Sequence, residues 1–246
     1  MHYKKQKESV SYGMVVWCSS TNKFLIYQQR DTYAYSEFIR GLWTSQCELY
    51  DLFMLMTRAE RERIRTHSFD ELWSDFWVSK DMYIFKHGKE RSTRQFDDVI
   101  NEINYIISFA NDQECSTDLQ WGFPKGKPDK NESAEDCAFR ELKEEMGWLH
   151  YSNTELGINI VNCGPVCETY TSSDGKVYTC YYFIGVCNDE IQIRTHPPTK
   201  DSIRKERFVS NEASDAVWAD ETLALKKINI RKRKILQQTK KILRLV

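Results

Sequence analysis

A chain of 246 residues is long enough to bury a full hydrophobic core without a disulfide or metal to staple it. With 41% hydrophobic and 29% charged residues, and only 10 Gly and 5 Pro, the composition excludes long disorder and collagen-like or low-complexity architecture. A formal net charge of -1 means that any affinity for nucleic acid has to come from local patches. No apolar run approaches the ~18 residues needed to span a bilayer. The opening MHYKKQKESVSYG has no apolar stretch after its lysines, so no secretory leader and a cytoplasmic protein are expected. The eight cysteines contain no CxxC pair, which points to reduced, mostly buried thiols rather than a zinc or redox site.

In chain order, YGMVVWCS and KFLIYQQR read as two strands joined by the polar turn Ser19-Ser20-Thr21-Asn22. From about Ser45 to Asn111 the pattern becomes helical. In LYDLFMLMTRAERERIRTH, Leu49, Leu52, Phe53, Met56 and Ile64 recur at steps near three and four. Ser68 is placed to cap the helix of SFDELWSDFWV, with Glu71 three residues on. RQFDDVINEINYIISFAN repeats the helical period through Phe96, Val99, Ile100, Ile103, Ile106 and Ile107. LQWGFPKGKP is a short strand entering a loop stiffened by Pro124 and Pro128. GINIVNCGPVCETYT, KVYTCYYFIGVC and DAVWA are strand-like, and a helix from about Glu221 closes the chain. Strands on both sides of a helical excursion argue for an α/β fold, a mixed sheet with helices on its faces that carries an all-helical insertion. The expected division is 1–40 and 115–246 for the sheet domain and 41–114 for the insertion.

The chemistry is concentrated in GKPDKNESAEDCAFRELKEEMGW, Gly126 to Trp148. Ser133 is a good N-cap, supported by Asp136, and Gly147 a natural stop, so a helix is expected from Ala134 to about Gly147. On it Glu141, Glu144 and Glu145 share one face, while Ala138 and Leu142 point toward the sheet. Like charges at this spacing cost an isolated helix a few tenths of a kcal/mol per pair, about what a solvated acidic face tolerates. A bound divalent cation removes the cost, with carboxylates and the Gly126 carbonyl as hard oxygen ligands. Arg140 is placed to pair with Glu132 and tie loop to helix.

The same residues, Gly126, Glu132, Arg140-Glu141-Leu142, Glu144-Glu145 and Gly147-Trp148, match the Nudix box GX5EX7REUXEEXGU at every specified position, and the chain is identified as resembling the Nudix superfamily. That resemblance implies an α/β/α sandwich and Mg2+- or Mn2+-dependent cleavage of a nucleoside diphosphate linked to another group. Carried over, Glu141, Glu144 and Glu145 become metal ligands, Glu144 and Glu145 catalytic residues, and Glu132 and Arg140 the structural pair. A further catalytic glutamate from outside the box is expected at Glu212, with Asp215 or Glu206 as competitors.

QQRDTYAYSEFIRG, FDELWSDFWV and WGFPKGKP resemble the mRNA-decapping Nudix enzymes of large DNA viruses, those of poxviruses and African swine fever virus. The resemblance implies capped messenger RNA as partner, release of 7-methyl-GDP and 5′-monophosphate RNA, and action in the host cytoplasm. Hydrolysis of diphosphoinositol or dinucleoside polyphosphates is the alternative. A methylated, positively charged guanine is best held between aromatic faces. Tyr33 and Tyr178 match the cap-stacking positions, with Tyr35 and Tyr170 as substitutes and Asp174 or Glu37 for the guanine edge. Phosphate neutralisation would fall to Arg61 and Arg65 on the insertion, where Glu60 and Glu62 alternate with arginines, and to Lys227, Arg231, Lys232, Arg233 and Lys234 on the closing helix.

Overall fold

The computed structural model describes residues 8–77, 83–113, 118–171, 176–193 and 213–244. They divide into two compact units, 1–28 with 121–246, and 29–120.

Among the described residues, the first unit is built on a sheet of eight strands. β1 (Glu8–Cys18) and β2 (Lys23–Gln29) form the expected antiparallel hairpin, with Trp17 opposite Phe24 and Asn22 at φ 53° in the turn. β3 (Trp121–Gly122) joins β2, and β4 (Lys125–Gly126) joins β1 through Gly13 and Tyr12. After α7 (Ala134–Met146), β5 (Asn159–Ile160) and β6 (Val166–Thr171) pair antiparallel with β7 (Val177–Cys187). β7 runs parallel to β1 from Glu8–Val177 to Cys18–Cys187, which makes the sheet mixed. β8 (Ala213–Ala219) pairs with β2.

Strand alternation sorts the side chains into two cores. Met14, Val16, Leu25, Tyr27 and Phe183 meet Ala138, Leu142 and Met146 of α7 on one face. On the other, Val15, Phe24, Ile26, Tyr182 and Ile184 meet α8 (Glu221–Lys227) and α9 (Ile230–Leu243) through Ala224, Ile235 and Leu236. The result is an α/β/α sandwich. The closing helix is two helices rather than one. The Asn229 side chain accepts from Arg231 N and Lys232 N and starts α9 afresh.

The second unit is helical: α1 (Tyr33–Ile39), α2 (Gln46–Leu55), α3 (Arg58–Thr66), α4 (Phe69–Phe76), α5 (Tyr83–Val99) and α6 (Ile103–Asp112). Its core gathers Tyr35, Phe38, Phe53, Trp73 and Ile106. Because Tyr35, Phe38 and Ile39 of α1 belong to that core, the unit starts at Gln29 and not at 41. The run 49–67, periodic throughout, breaks at Thr57. There a reciprocal capping box with Glu60 satisfies two backbone donors that a continuous helix would bond internally. Ser68 and Glu71 form the expected box on α4. The run 95–111 breaks as well, with turns from Asp97 O to Ile100 N and Val99 O to Glu102 N.

Among the described cysteines, Cys18, Cys137, Cys180 and Cys187 are buried, whereas Cys47, Cys163 and Cys167 are exposed. No described helix is long and apolar enough to cross a membrane.

Candidate active site

α7 follows its sequence closely. Ser133 Oγ accepts from Asp136 N at 3.1 Å, and Gly147 ends the helix at φ 69°, left-handed backbone that glycine adopts without strain. Ala138 and Leu142 are fully buried against the sheet and fix the helix's rotation. The acidic face is thereby turned toward the loop that carries Gly126.

Arg140 organises that face. Its Nε donates to Glu132 Oε1 at 2.8 Å and its Nη2 to Glu132 Oε2 at 3.0 Å, the planar fork-to-carboxylate pairing that only arginine makes. Nη2 also donates to Lys127 O at 2.9 Å, while Nη1 reaches Glu141 Oε1 at 2.7 Å and Glu144 Oε2 at 2.9 Å. One guanidinium thus ties the loop to three carboxylates. The bonds from Arg140 hold the Glu132 carboxyl down at about 2, and in return the Glu132 bond leads the factors that raise the Arg140 guanidinium above its usual range. Burial pushes the neighbouring Cys137 thiol up to about 12, so it stays protonated; Sγ lies 3.7 Å from Gly126 O as a weak donor.

Glu145 is held separately. Tyr27 Oη donates to Oε1 at 2.7 Å and Lys125 N to Oε2 at 3.1 Å. Glu141 and Glu145 are 8% and 6% exposed, whereas the Glu144 side chain is 37% exposed, so the third carboxylate is the solvent-facing one. The Glu141 carboxylate lies directly on the Gly126 backbone, in space that a Cβ there would fill.

The oxygens of these four carboxylates, with the Gly126 carbonyl, are the hard donors a small dication takes. The residues therefore fit Mg2+ or Mn2+ in chemistry. Among the described residues, no three such side chains converge closely enough to be a preformed ligand cluster, because Glu141 and Glu144 close on Arg140 instead.

The remaining expected residues fall into three groups. Glu212, its competitor Glu206 and Asp174 lie outside the described residues, while Asp215 accepts from Ala216 N at 2.8 Å. Tyr33, at the start of α1, is 50% exposed and its hydroxyl accepts from Gln29 Nε2. Tyr178 is half-buried and stacks on Tyr170 with centroids 5.4 Å apart and planes at 11°, and the Arg231 guanidinium lies 4.6 Å over the Tyr170 ring. Tyr35 is no substitute, being fully buried in the helical core.

Two of the expected phosphate-binding cations are corrected. Arg61 is 2% exposed, with Nη1 donating to Phe53 O at 2.8 Å and Met56 O at 3.2 Å, so it closes the C-terminus of α2. Glu60 is buried too, accepting from Thr32 N and Thr32 Oγ1, so these two do not belong to a solvated face. Lys232 is 8% exposed and bonds Glu168 and Tyr182 Oη, and burial lowers its pKa. Arg65 is half-exposed beside Glu62, Lys227 sits 3.8 Å over the Trp121 ring, Arg233 Nε donates to Ile228 O, and Lys234 is exposed.

Sequence reasoning missed Tyr27 and the Lys125 amide as partners of Glu145. The only signal was strand parity, which puts Tyr27 on the same side of β2 as Leu25, facing α7.

A model of the NUDIX domain matches residues 108–239, from α6 into α9. β1 and β2, which complete the same sheet, precede the match in the chain. The chain is 34% identical over 126 residues to the mRNA-decapping protein g5R of African swine fever virus (isolate Pig/Kenya/KEN-50/1950), covering 50% of this chain and 51% of that one. It is 68% identical over 28 residues to mRNA decapping complex subunit 2 of Schizosaccharomyces pombe, 11% of this chain and 4% of that one. The chain thus spans about half the length of the African swine fever virus relative that it matches. Among solved structures, the Ap4A hydrolase binary complex of C. elegans aligns at TM-score 0.48 and 13% identity, over 97% of this chain and 99% of that one.

Proposed function

This chain belongs to the NUDIX family, and from that premise we propose that it is a divalent-metal-dependent hydrolase that cleaves the cap pyrophosphate bond of messenger RNA, releasing 7-methyl-GDP and 5′-monophosphate RNA. The observation that carries the chemistry is the acidic face of α7 closed on the Gly126 loop. The likeness to g5R supports the choice of capped RNA.

In this reading Glu141, Glu144, Glu145 and the Gly126 carbonyl hold Mg2+ or Mn2+. A bound ion there supplies Lewis-acid polarisation of a phosphoryl oxygen and a more acidic water. Arg140 and Glu132 clamp the loop to the helix and keep the Gly126 carbonyl in place. Glu144, the exposed carboxylate, takes the proton of the attacking water, with Glu212 as the further carboxylate. Tyr178, backed by Tyr170, stacks the methylated base, and Asp174 reads its edge. Arg65, Lys227, Arg231, Arg233 and Lys234 neutralise RNA phosphates, and Arg61 and Lys232 take no part. With capped messenger RNA as substrate the place of action is the cytoplasm, that of the host for a viral gene.

The test is incubation of the pure chain with cap-labelled RNA and Mg2+ or Mn2+. Release of 7-methyl-GDP, suppressed by excess uncapped RNA, is the expected result. Turnover of diphosphoinositol or dinucleoside polyphosphates with none of capped RNA would replace decapping by small-molecule hydrolysis.

A further inference from the structure

We propose that Tyr27 is a positioning residue for the metal-carrying face of α7, acting through Glu145. The inference rests on the metal reading above. Glu145 is a buried carboxylate, and a buried carboxylate needs fixed donors. It has one on each oxygen, the Tyr27 hydroxyl at 2.7 Å on Oε1 and the Lys125 amide at 3.1 Å on Oε2.

Both donors come from the sheet rather than from a mobile side chain on the surface. Tyr27 is on β2, opposite Gly122 of β3, and its ring is packed in the core that includes Leu142 and Met146 of α7. Lys125 is on β4, opposite Gly13 of β1. A carboxylate gripped on both oxygens cannot rotate about its last bond, and a carboxylate oxygen can accept more than one partner. This contrasts with Glu141 and Glu144, which share one nitrogen of Arg140. Glu145 is therefore oriented from the sheet, and Tyr27 supplies the side-chain hydroxyl that holds it. Partners of this kind change metal affinity by about 10–100-fold when removed.

The core alone does not ask for the hydroxyl, since phenylalanine fills the same volume. That makes Tyr27→Phe the discriminating variant. The full chain, without RNA, is titrated with Mn2+ while the free ion is followed by electron paramagnetic resonance, and thermal unfolding is recorded in parallel without metal. Mn2+ affinity about 10-fold weaker in Tyr27→Phe, with Glu145→Gln at least as weak, is the expected result. An unchanged Mn2+ affinity overturns the inference, whatever happens to the melting temperature, because a merely structural bond would move only the latter. A wild-type chain that binds no Mn2+ overturns the metal reading first and this inference with it.

A second measurement needs no loss of the hydroxyl. With 3-fluorotyrosine placed at position 27, the fluorine resonance should shift on addition of Mg2+; a resonance that stays put at saturating Mg2+ in a chain that binds the ion overturns the assignment.

Discussion

Arg140 and Glu132 face each other through two parallel bonds, Nε to Oε1 at 2.8 Å and Nη2 to Oε2 at 3.0 Å, across the junction between the Gly126 loop and α7. The pair is partly shielded, with Glu132 also accepting from Asp129 N at 2.8 Å. This makes the acidic response of the fold readable. Unfolded, Glu132 titrates near 4.3, whereas the folded chain holds it at about 2. Between those values the unfolded chain binds more protons, so the contribution is present above about 4.3 and is lost as pH falls toward about 2. Urea midpoints at pH 5 and pH 3 should drop less in Glu132→Gln than in the wild type. Equal drops would assign the acid sensitivity to other carboxylates.

Gly126→Ala separates folding from function. The added Cβ would overlap the Glu141 carboxylate, which is the far end of a flexible side chain and can swing away. Thermal stability should therefore change by about 1 kcal/mol or less. Turnover of capped RNA should fall at least ~10-fold, because the displaced carboxylate belongs to the proposed metal site. A large loss of melting temperature would show instead that the loop backbone yields.

Arg61 and Arg65, four residues apart on α3, should behave as opposites. Arg61→Ala leaves the carbonyls of Phe53 and Met56 buried without that donor, a cost of about 1–3 kcal/mol, or roughly 4–8 °C per kcal/mol for a unit of this size. Arg65→Ala removes an exposed pair with Glu62 and should leave the melting temperature within error. Differential scanning calorimetry on both variants decides it.

What the sequence disclosed follows from the range of the forces involved. The caps of α7, its stop at Gly147, the Arg140–Glu132 pair and the carboxylate spacing depend on residues within one helix and its loop, and all were legible. The break at Thr57 was equally local, but the apolar period running through Met56 masked the Thr57–Glu60 box. Arg61 and Lys232 look like the exposed cations beside them, and only the packing of α2 on α3 and of α9 on the sheet puts them inside. Tyr27 was hidden for the same reason. Its partner Glu145 is far along the chain, and strand parity gives a face without naming a contact.

Lys232 and Lys234 give the last contrast. Lys232 is buried against Glu168 and Tyr182 Oη, and among the described residues Oε2 of Glu168 has no hydrogen-bond partner. Removing the ammonium by Lys232→Met strands a buried carboxylate, which costs about 3–5 kcal/mol when one partner of such a pair is lost. The double variant Lys232→Met with Glu168→Leu removes both charges and should recover most of that loss, since an apolar pair of similar volume is often neutral or better. Lys234 is exposed on the same helix. Lys234→Ala should leave stability unchanged but reduce the slope of log affinity against log salt for RNA by about 0.7–0.9, the share of one phosphate contact. Thermal melts and binding isotherms at three salt concentrations measure both effects. An unaltered salt slope in Lys234→Ala removes it from the RNA path, and a Lys232→Met chain as stable as the wild type contradicts the buried pair.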